Sequence, residues 1–259
     1  MLDDAIVAVV VPARNEERLI SEVLKGVPSW VDRVIVVDDG SDDGTAGVVK
    51  RGFPAVELIT HEQCRGVGAA IRSGYFWCLD HGVDVVAVMA GDNQMNPREL
   101  QSLVQPIIRG EFDYVKGNRL THPDVTRVMP WLRRIGTRAL AVLTSWVSGV
   151  HGIQDAQCGY TAVRAESLQR IELTSLYPRY GYPNDLVVML ARTGARVAER
   201  PVTPIYASES SGLRPMLAIF THSYVLIRAW WLRGRRARRG RQSDYFSPQW
   251  SRNRIGRQS

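Results

Sequence analysis

The sequence predicts an α/β fold: a mainly parallel sheet with helices on both faces, followed by a C-terminal amphipathic helix and a basic tail. Short runs rich in Val and Ile are typical of strands buried on both sides, and segments with helical spacing lie between them. This alternation produces parallel strands joined by crossover helices. A high content of arginine distinguishes the tail from the rest of the sequence.

The predicted elements follow one another in the order that such a sheet requires. Strands are expected at residues 5–11, 33–37, 56–60, 83–89 and 114–116 and, in a less regular second half, at 160–163 and 197–199. Helices are expected at residues 16–25, 45–51, 68–79, 97–109, 131–147 and 186–192. Pro97 suits the first turn of its helix, because the first backbone N–H groups of a helix have no intrahelical partner.

The net positive charge of the chain lies at its end. The chain of 259 residues has a net charge of +7, and residues 228–259 alone hold ten Arg and one Asp. Residues 213–232 are apolar on much of a helical circumference, and Trp230 and Trp231 precede the arginine run. This pattern favours a helix at an anionic membrane surface. The alternative is a core-packing helix with a disordered basic tail.

These patterns divide the chain into a globular domain at 1–212, an amphipathic helix with a basic segment at 213–241, and a tail at 242–259 that we expect to be disordered. Three scattered cysteines, Cys64, Cys78 and Cys158, do not form a disulfide framework and are typical of a reducing cytosol. The acidic start of the chain does not resemble a secretory signal. No window of about 18 apolar residues predicts a transmembrane helix. We therefore expect a cytoplasmic protein, peripheral at the inner face of the membrane.

Polar residues follow three of the predicted strands at the point where each strand ends. They occupy residues 12–17, 38–45 and 90–97. The carboxyl ends of parallel strands meet at one edge of the sheet, where ligands of open α/β folds bind. A single acidic loop is usually only a solvated turn. Three such loops at one edge predict a binding site.

Oxygen ligands in these loops suit a divalent cation bound to a diphosphate. Mg²⁺ and Mn²⁺ prefer such hard ligands and keep positions open for phosphate oxygens. Asp92 and Gln94 are predicted to hold one ion, and Asp39 to accept a hydrogen bond from a nucleobase. Other nucleotide sites fit worse. The chain has no Gly-x4-Gly-Lys-Ser/Thr loop, and Gly66-Val-Gly68 lacks the third glycine of a dinucleotide fingerprint.

The motifs VVVPARNEE, VIVVDDGSDDGT, RGVGAAIRSGY and MAGDNQMNP, in that order, resemble family 2 glycosyltransferases of the GT-A fold, whose sheet is Rossmann-like. With KGNRL, QCGYTAVR and YPNDL added, the likeness is to the dolichyl-phosphate mannose synthase type. It covers about residues 5–210 and implies a nucleotide-binding half at 1–118 and an acceptor half at 119–212. Enzymes of this type transfer a sugar from a nucleotide sugar to a polyprenyl phosphate.

The resemblance also implies roles for individual residues. The implied donor-binding residues are Pro12, Arg14, Glu16, Val37, Asp39, Gly91 and Asp92. The implied ligands of Mg²⁺ or Mn²⁺ are Asp92 and Gln94, the implied phosphate-facing residues are Arg119 and Arg133, and the implied catalytic residues are Asp92, Arg119 and Asp185. Without the motif, each of the two arginines would be read as a surface or ion-pair residue. The sequence departs from the family at Ala90, where the first carboxylate of Asp-x-Asp is missing.

The acceptor decides which catalytic groups are needed. Direct displacement at the anomeric carbon inverts its configuration. A phosphate monoester is nucleophilic without help, whereas a sugar hydroxyl needs a positioned general base. Asp185 stands where family members with hydroxyl acceptors carry such a base. Its other reading is a carboxylate in the first turn of a helix, where it favours the helix dipole.

We expect a polyprenyl-phosphate acceptor and a UDP-sugar donor, with a hexose or N-acetylhexosamine; a GDP-sugar is the alternative donor. A family 2 enzyme acting on a hydroxyl and a catalytically dead nucleotide-sugar-binding relative are the alternative functions. The expected partners also include an anionic membrane surface and a membrane protein. The arginine tail would bind nucleic acid only nonspecifically.

Overall fold

A computed structural model describes residues 2–150 and 152–205 of the chain. Within this part, a seven-stranded sheet has the strand order β3-β2-β1-β4-β6-β5-β7. The strands are β1 (Val7–Ala13), β2 (Arg33–Asp38), β3 (Glu57–Thr60), β4 (Val85–Val88), β5 (Tyr114–Asn118), β6 (Thr161–Arg164) and β7 (Val197–Pro201). The predicted α/β class with a mainly parallel sheet is confirmed.

The helices of the described residues are α1 (Ile20–Gly26), α2 (Thr45–Gly52), α3 (Val67–Asp80), α4 (Leu100–Ile108), α5 (Val125–Val128), α6 (Trp131–Ser148), α7 (Ala165–Gln169) and α8 (Tyr182–Ala191). Short 3₁₀ turns lie at Pro97–Glu99 and Leu173–Ser175. Pro97 begins the turn that leads into α4, as predicted. The short helices α5 and α7 have too few residues to show a helical period, and the sequence did not predict them.

Two helix starts differ from the prediction. Helix α1 begins at Ile20 rather than at residue 16, because residues 15–17 bind the loop that follows β2. Helix α8 begins at Tyr182 rather than at residue 186, and Pro183 lies in its first turn, where its missing N–H costs nothing. The earlier start places Asp185 inside the first turn of α8.

The direction of β6 sets which loops meet at the edge of the sheet. Strands β1 to β4 are parallel, and β6 runs antiparallel to both β4 and β5. Strand β5 therefore has the direction of β4, and β7 pairs with it in parallel. The carboxyl ends of β1, β2, β4 and β5 consequently share one edge with residues 152–160, which lead into β6.

The core lies on both faces of the sheet. Along β1, Ala8 and Val10 point into one apolar cluster, and Val7, Val9 and Val11 point into the other. Helices α3 and α8 cover the first face, and α1 and α4 cover the second. Burying one such Val side chain stabilises the fold by roughly 1.5–3 kcal/mol relative to an exposed one. Helix α6 packs through Leu140 and Val147 against α8.

The predicted helix at 213–232, the basic segment that ends at residue 241 and the tail at 242–259 lie outside the described residues. In the part of the chain that the structure describes, none of the helices has the length and apolar character needed to cross a bilayer.

Candidate active site

The loops after β1 and β2 are joined by hydrogen bonds into one polar surface. The backbone N–H of Asn15 donates to Ser41 Oγ (2.9 Å), and that of Glu16 donates to Thr45 Oγ1 (2.8 Å). In return, the N–H of Asp42 donates to Asn15 Oδ1 (2.9 Å). Asn15 has a φ of +58°, a left-handed conformation that Asn tolerates better than most residues. Arg14 is exposed, and its guanidinium lies 3.9 Å from the Asp42 carboxylate.

The ends of β1 and β4 approach each other closely. Pro12 belongs to β1 rather than to the following loop, and its carbonyl accepts a hydrogen bond from Gly91 N–H (3.1 Å). A Cβ at position 91 would lie 3.1 Å from Ala13 Cβ, closer than ordinary contact. Gly91 therefore permits the approach that places Asp92 beside the end of β1.

The side chain of Val37, a residue implied to bind the donor, lies in the core. Its side chain is fully buried and belongs to the apolar cluster under α3. A contact of residue 37 with a nucleobase would therefore come from its backbone, and it stays a prediction. Because β2 alternates faces and its next residue already ends the strand, Val37 serves the core.

Asp39 organises the segment that leads into α3. Its carboxylate is buried and accepts hydrogen bonds from the N–H groups of Arg65 (2.9 Å) and Gly66 (2.7 Å) and from Cys64 Sγ (3.3 Å). His61 Nδ1 lies 2.8 Å from Asp39 Oδ1. Burial raises the pKa of Asp39, but these hydrogen bonds outweigh it and hold the pKa below the ordinary value.

A carboxylate can accept about four hydrogen bonds, and the groups around Asp39 occupy these positions. In this conformation Asp39 fixes the loop at residues 61–66, and its contact with a nucleobase stays a prediction. Gly66 is required here, because its φ is +98° and a Cβ would lie 2.4 Å from the carbonyl oxygen of Pro178.

Asp92 is the carboxylate at this edge best suited to a divalent cation. It is half-buried, and its Oδ1 accepts the N–H of Gln94 (3.1 Å). Burial raises the pKa of Asp92 above its ordinary value of 3.8, and that hydrogen bond only partly offsets the effect. No Lys or Arg among the described residues forms an ion pair with it. A desolvated carboxylate of this kind fits a cation, and Gln94 follows two residues later, so the chemistry of the donor set fits Mg²⁺ or Mn²⁺.

Ala90 limits what the protein itself can contribute to a metal. The described residues contain no group of three or more His, Cys, Asp or Glu side chains that could hold an ion. Ala90 donates its backbone N–H to Met95 Sδ (3.2 Å) and has no side-chain oxygen, at the position where the family resemblance implied a first carboxylate. A metal here would take its remaining ligands from Gln94 and from a substrate.

Arg119 is held by a carboxylate that the sequence analysis did not single out. Arg119 Nε and Nη2 donate to the two oxygens of Asp155, at 2.7 and 2.9 Å, and the Arg119 N–H donates to Asp155 Oδ2 (3.1 Å). Asp155 is fully buried. Burial raises its pKa, but the charge and hydrogen bonds of Arg119 outweigh burial and hold the pKa below the ordinary value. The ion-pair reading of Arg119 is therefore what the structure contains, and its contact with a phosphate stays a prediction.

Further polar groups of β5 and β7 surround this ion pair. Lys116 is fully buried and donates through Nζ to the carbonyl oxygen of Asp155. Burial lowers the pKa of Lys116, and the Asp155 carboxylate opposes that shift. Glu199 accepts the N–H groups of Gln154 and Asp155, each at 3.0 Å, and the side chain of Asn118 at 2.6 Å. The sequence signal that could have revealed Asp155 is its position as a charged residue shortly before the strand predicted at 160–163. Only the antiparallel direction of β6 brings residue 155 to this edge.

Asp185 and Arg133 lie on the two packed helices beside this network. Asp185 is buried in the first turn of α8, and its Oδ2 accepts the N–H of Tyr177 (2.8 Å). The first-turn placement is thus confirmed, and a role as general base stays a prediction. Arg133 lies in the first turn of α6. Thr137, one turn further along α6, donates to Gln157 Oε1 (3.1 Å) and so ties this helix to the loop that holds Asp155.

Comparison with known proteins identifies the family to which the chain belongs. A family profile described as Glycosyl transferase family 2 matches residues 8–172, which include the carboxyl ends of β1, β2, β4 and β5. The chain belongs to glycosyl transferase family 2. This family 2 glycosyltransferase also has the GT-A fold that the motifs implied, and the expectation that it is an enzyme is confirmed.

Relatives of this family 2 chain include lipid-phosphate glycosyltransferases. It is 27% identical over 80% of its length to a UDP-N-acetylglucosamine–dolichyl-phosphate N-acetylglucosaminyltransferase from Methanococcus voltae, 88% of which is covered. It is 30% identical over 88% of its length to a polyprenol monophosphomannose synthase from Mycolicibacterium smegmatis, 87% of which is covered.

Among solved structures, glucosyl-3-phosphoglycerate synthase from Mycobacterium tuberculosis has the same fold. The match has a TM-score of 0.65 and 22% identity, and it covers 87% of this chain and 80% of that one. That protein was crystallised with Mn²⁺, UDP and glucosyl-3-phosphoglycerate.

We predict that Asp92→Asn raises the thermal midpoint of this glycosyltransferase when metal is removed with EDTA at neutral pH. The folded state raises the pKa of Asp92, so the stability that its protonated form contributes is lost as the pH rises through that pKa. The difference between the variant and the wild type should vanish in acid. Mn²⁺ with UDP should raise the midpoint of the wild type and not of the variant.

Asp113→Asn is the control for this comparison. Its hydrogen bond with Arg196 lowers the pKa of Asp113 to about 2, so its ionised form stabilises the fold above its unfolded pKa, and the variant should lose stability at neutral pH. A lower midpoint for Asp92→Asn in EDTA would contradict the picture of a desolvated carboxylate.

Asp155→Asn should lower the free energy of unfolding by about 3 kcal/mol, because it leaves the guanidinium of Arg119 partly buried without its counter-charge. Urea denaturation measures the difference. The control is Glu166→Gln, which removes an exposed ion pair with Arg170 and should cost less than about 1 kcal/mol. Equal losses for the two variants would show that the buried pair has no special importance.

Proposed function

We propose that this enzyme transfers a sugar from a nucleoside diphosphate sugar to a polyprenyl phosphate, with inversion at the anomeric carbon and with Mg²⁺ or Mn²⁺. The names of the relatives at 27–30% identity support the acceptor class. The structural observation that carries the proposal is that the Asp185 carboxylate is buried and accepts a backbone hydrogen bond from Tyr177, a contact within the fold. An acceptor that is already nucleophilic needs no base at that position.

The donor would bind across the edge formed by β1, β2 and β4. Asp92 and Gln94 would hold the metal, which neutralises the negative charge of the departing diphosphate. The exposed side chain of Arg14 and the half-buried Glu16 lie on the joined loops of the same edge. A UDP-sugar is the favoured donor, since UDP accompanies Mn²⁺ in the solved neighbours and since one relative is named for UDP-N-acetylglucosamine. A GDP-sugar is the alternative.

The chemistry balances without a proton acceptor in the protein. An ionised oxygen of the lipid phosphate forms a bond to the anomeric carbon, while the bond between that carbon and the diphosphate oxygen breaks. The electron pair of the broken bond leaves with the nucleoside diphosphate. Arg119 and Arg133 would add positive charge near the phosphates, and Asp155 would keep the Arg119 guanidinium in one orientation.

A second function has one observation in its favour. The solved neighbours act on phosphoglyceric acid, according to their names and ligands, and the fold is the same. Transfer to a hydroxyl would require Asp185 as general base. A relative that binds nucleotide sugars without turnover is a third reading, motivated by Ala90.

The chain would act at the membrane that holds its lipid acceptor. Residues 213–241, with their tryptophans and arginines, remain the predicted contact with anionic lipid on the cytoplasmic side. A membrane protein partner remains an expectation on the same grounds.

Incubation of the enzyme with polyprenyl phosphate, Mn²⁺ and a panel of UDP- and GDP-sugars should yield one glycosylated lipid phosphate by mass spectrometry. Asp92→Ala or EDTA should reduce turnover more than about 100-fold. The control is Asp42→Ala, which removes an exposed carboxylate of the same edge and should leave turnover nearly unchanged. Full turnover in EDTA would refute the metal, and absence of a lipid product with every donor would refute the function.

Asp185→Asn separates the two acceptor classes. The amide oxygen can still accept the N–H of Tyr177, so the fold should be kept, and a thermal midpoint near that of the wild type would verify this. With a polyprenyl phosphate acceptor we expect turnover within about tenfold of the wild type. A loss of about 10²–10⁴-fold with unchanged donor affinity would instead assign Asp185 as a general base and favour a hydroxyl acceptor.

A further inference from the structure

Helix α6 exposes a continuous row of large apolar side chains. We call this row the α6 stripe; its members are Trp131, Leu132, Ile135, Val142, Leu143 and Trp146. The exposed fractions reach 61% for Trp131, 68% for Trp146 and 71% for Val142. Their spacing of three, four and seven residues puts them on one side of the helix, over a length of about 22 Å.

The opposite side of α6 is packed in the ordinary way. Leu140, Ala141 and Thr144 are buried, and Leu140 contacts Val188 of α8. Helix α6 therefore packs on the domain through one side, and its second apolar side, the α6 stripe, faces outward. A contiguous exposed apolar surface of this size marks an interaction site in a soluble domain.

The positive charges beside the stripe favour a negatively charged partner. Arg134 and Arg138 lie along one border of the stripe, and neither forms an ion pair with another residue that the structure describes. Helix α6 contains no Asp or Glu. Tryptophan near each end, arginine at the border and an apolar row between them are the pattern of a helix that lies in the interface of a bilayer with anionic lipids.

Two other occupants fit the charges less well. A second copy of the chain would bring Arg134 and Arg138 toward the same arginines of its partner if the stripes paired antiparallel. The segment at 213–241 is apolar enough to cover the stripe, but it contains no Asp or Glu and several arginines, so it would add positive charge beside positive charge.

We propose that the α6 stripe docks on an anionic lipid surface, with its apolar side chains at the level of the acyl chains and its arginines on lipid phosphates. The use of this docking rests on the proposed function. Thr137 on α6 binds Gln157 of the loop that carries Asp155, so docking would bring the Arg119 end of the sheet toward the bilayer in which a polyprenyl phosphate resides.

Co-sedimentation of the full chain with vesicles tests the docking. The vesicles contain phosphatidylcholine alone or phosphatidylcholine with phosphatidylglycerol. The wild type should bind the anionic vesicles, and Ile135→Glu with Val142→Glu should bind them at least tenfold more weakly. Ile135→Asn with Val142→Asn, which leaves the net charge unchanged, should weaken binding in the same direction.

The matched control is Gln101→Glu with Gln169→Glu, which adds the same charge at exposed positions of α4 and α7 and should change binding less than threefold. Equal binding of the stripe variants and the wild type would overturn the proposal. So would light scattering that shows a wild-type dimer which the stripe variants convert to a monomer.

Activity assays separate this proposal from the proposed function. The stripe variants should lose at least tenfold of the turnover on polyprenyl phosphate embedded in anionic vesicles, and keep the turnover on a short-chain polyprenyl phosphate in solution. If neither acceptor is glycosylated by the wild type while vesicle binding depends on the stripe, the docking stands and the proposed acceptor is wrong. Equal losses on both acceptors would mean that the stripe acts on catalysis rather than on docking.

Discussion

The pairing of β1 with β2 on one side and β4 on the other is the constraint on which the candidate site depends. It places the ends of three strands next to each other, and the backbone hydrogen bond from Gly91 to Pro12 closes the remaining distance between β1 and β4. The loops then complete one another's hydrogen bonds, as Asn15 and Ser41 do. Because the strands are anchored by fully buried valines, the polar loops can carry substrate groups without carrying the stability of the fold.

The carboxylates at this edge fall into two electrostatic classes. Asp39 and Asp155 are buried, yet their pKa values lie below the ordinary range because donors and charges of the protein surround them. Asp92 has a raised pKa because burial is not balanced by a cation of the described residues. The first two are used by the fold, and the third is left for a ligand. The motifs of the sequence point to Asp39 and Asp92 but not to Asp155, and the hydrogen bonds and charges of the folded protein distinguish the three carboxylates.

The sequence predicted what depends on local pattern and missed what depends on distant contacts. Runs of Val and Ile located the strands, since such side chains fill a sheet buried on both faces. The start of α8 was misplaced because Pro183 was not recognised as a first-turn residue. The reversed β6 and the Arg119–Asp155 pair involve residues far apart along the chain, so no local period announces them. The burial of the Val37 side chain was also not foreseen, because a motif names positions and not the side of the sheet on which a side chain points.

The lack of a carboxylate at Ala90 limits the proposed metal site. One carboxylate and one amide are a weak ligand set for a hard divalent ion, which needs six oxygen ligands and otherwise keeps its waters. In the proposed function the missing ligands come from the diphosphate of the donor, so metal and donor affinities must be coupled. Linkage requires that this coupling be reciprocal: each raises the affinity for the other by the same factor. The protein would then bind the metal tightly only while a nucleoside diphosphate is present, and the charge on Asp92 would be neutralised in the complex that reacts rather than in the resting enzyme.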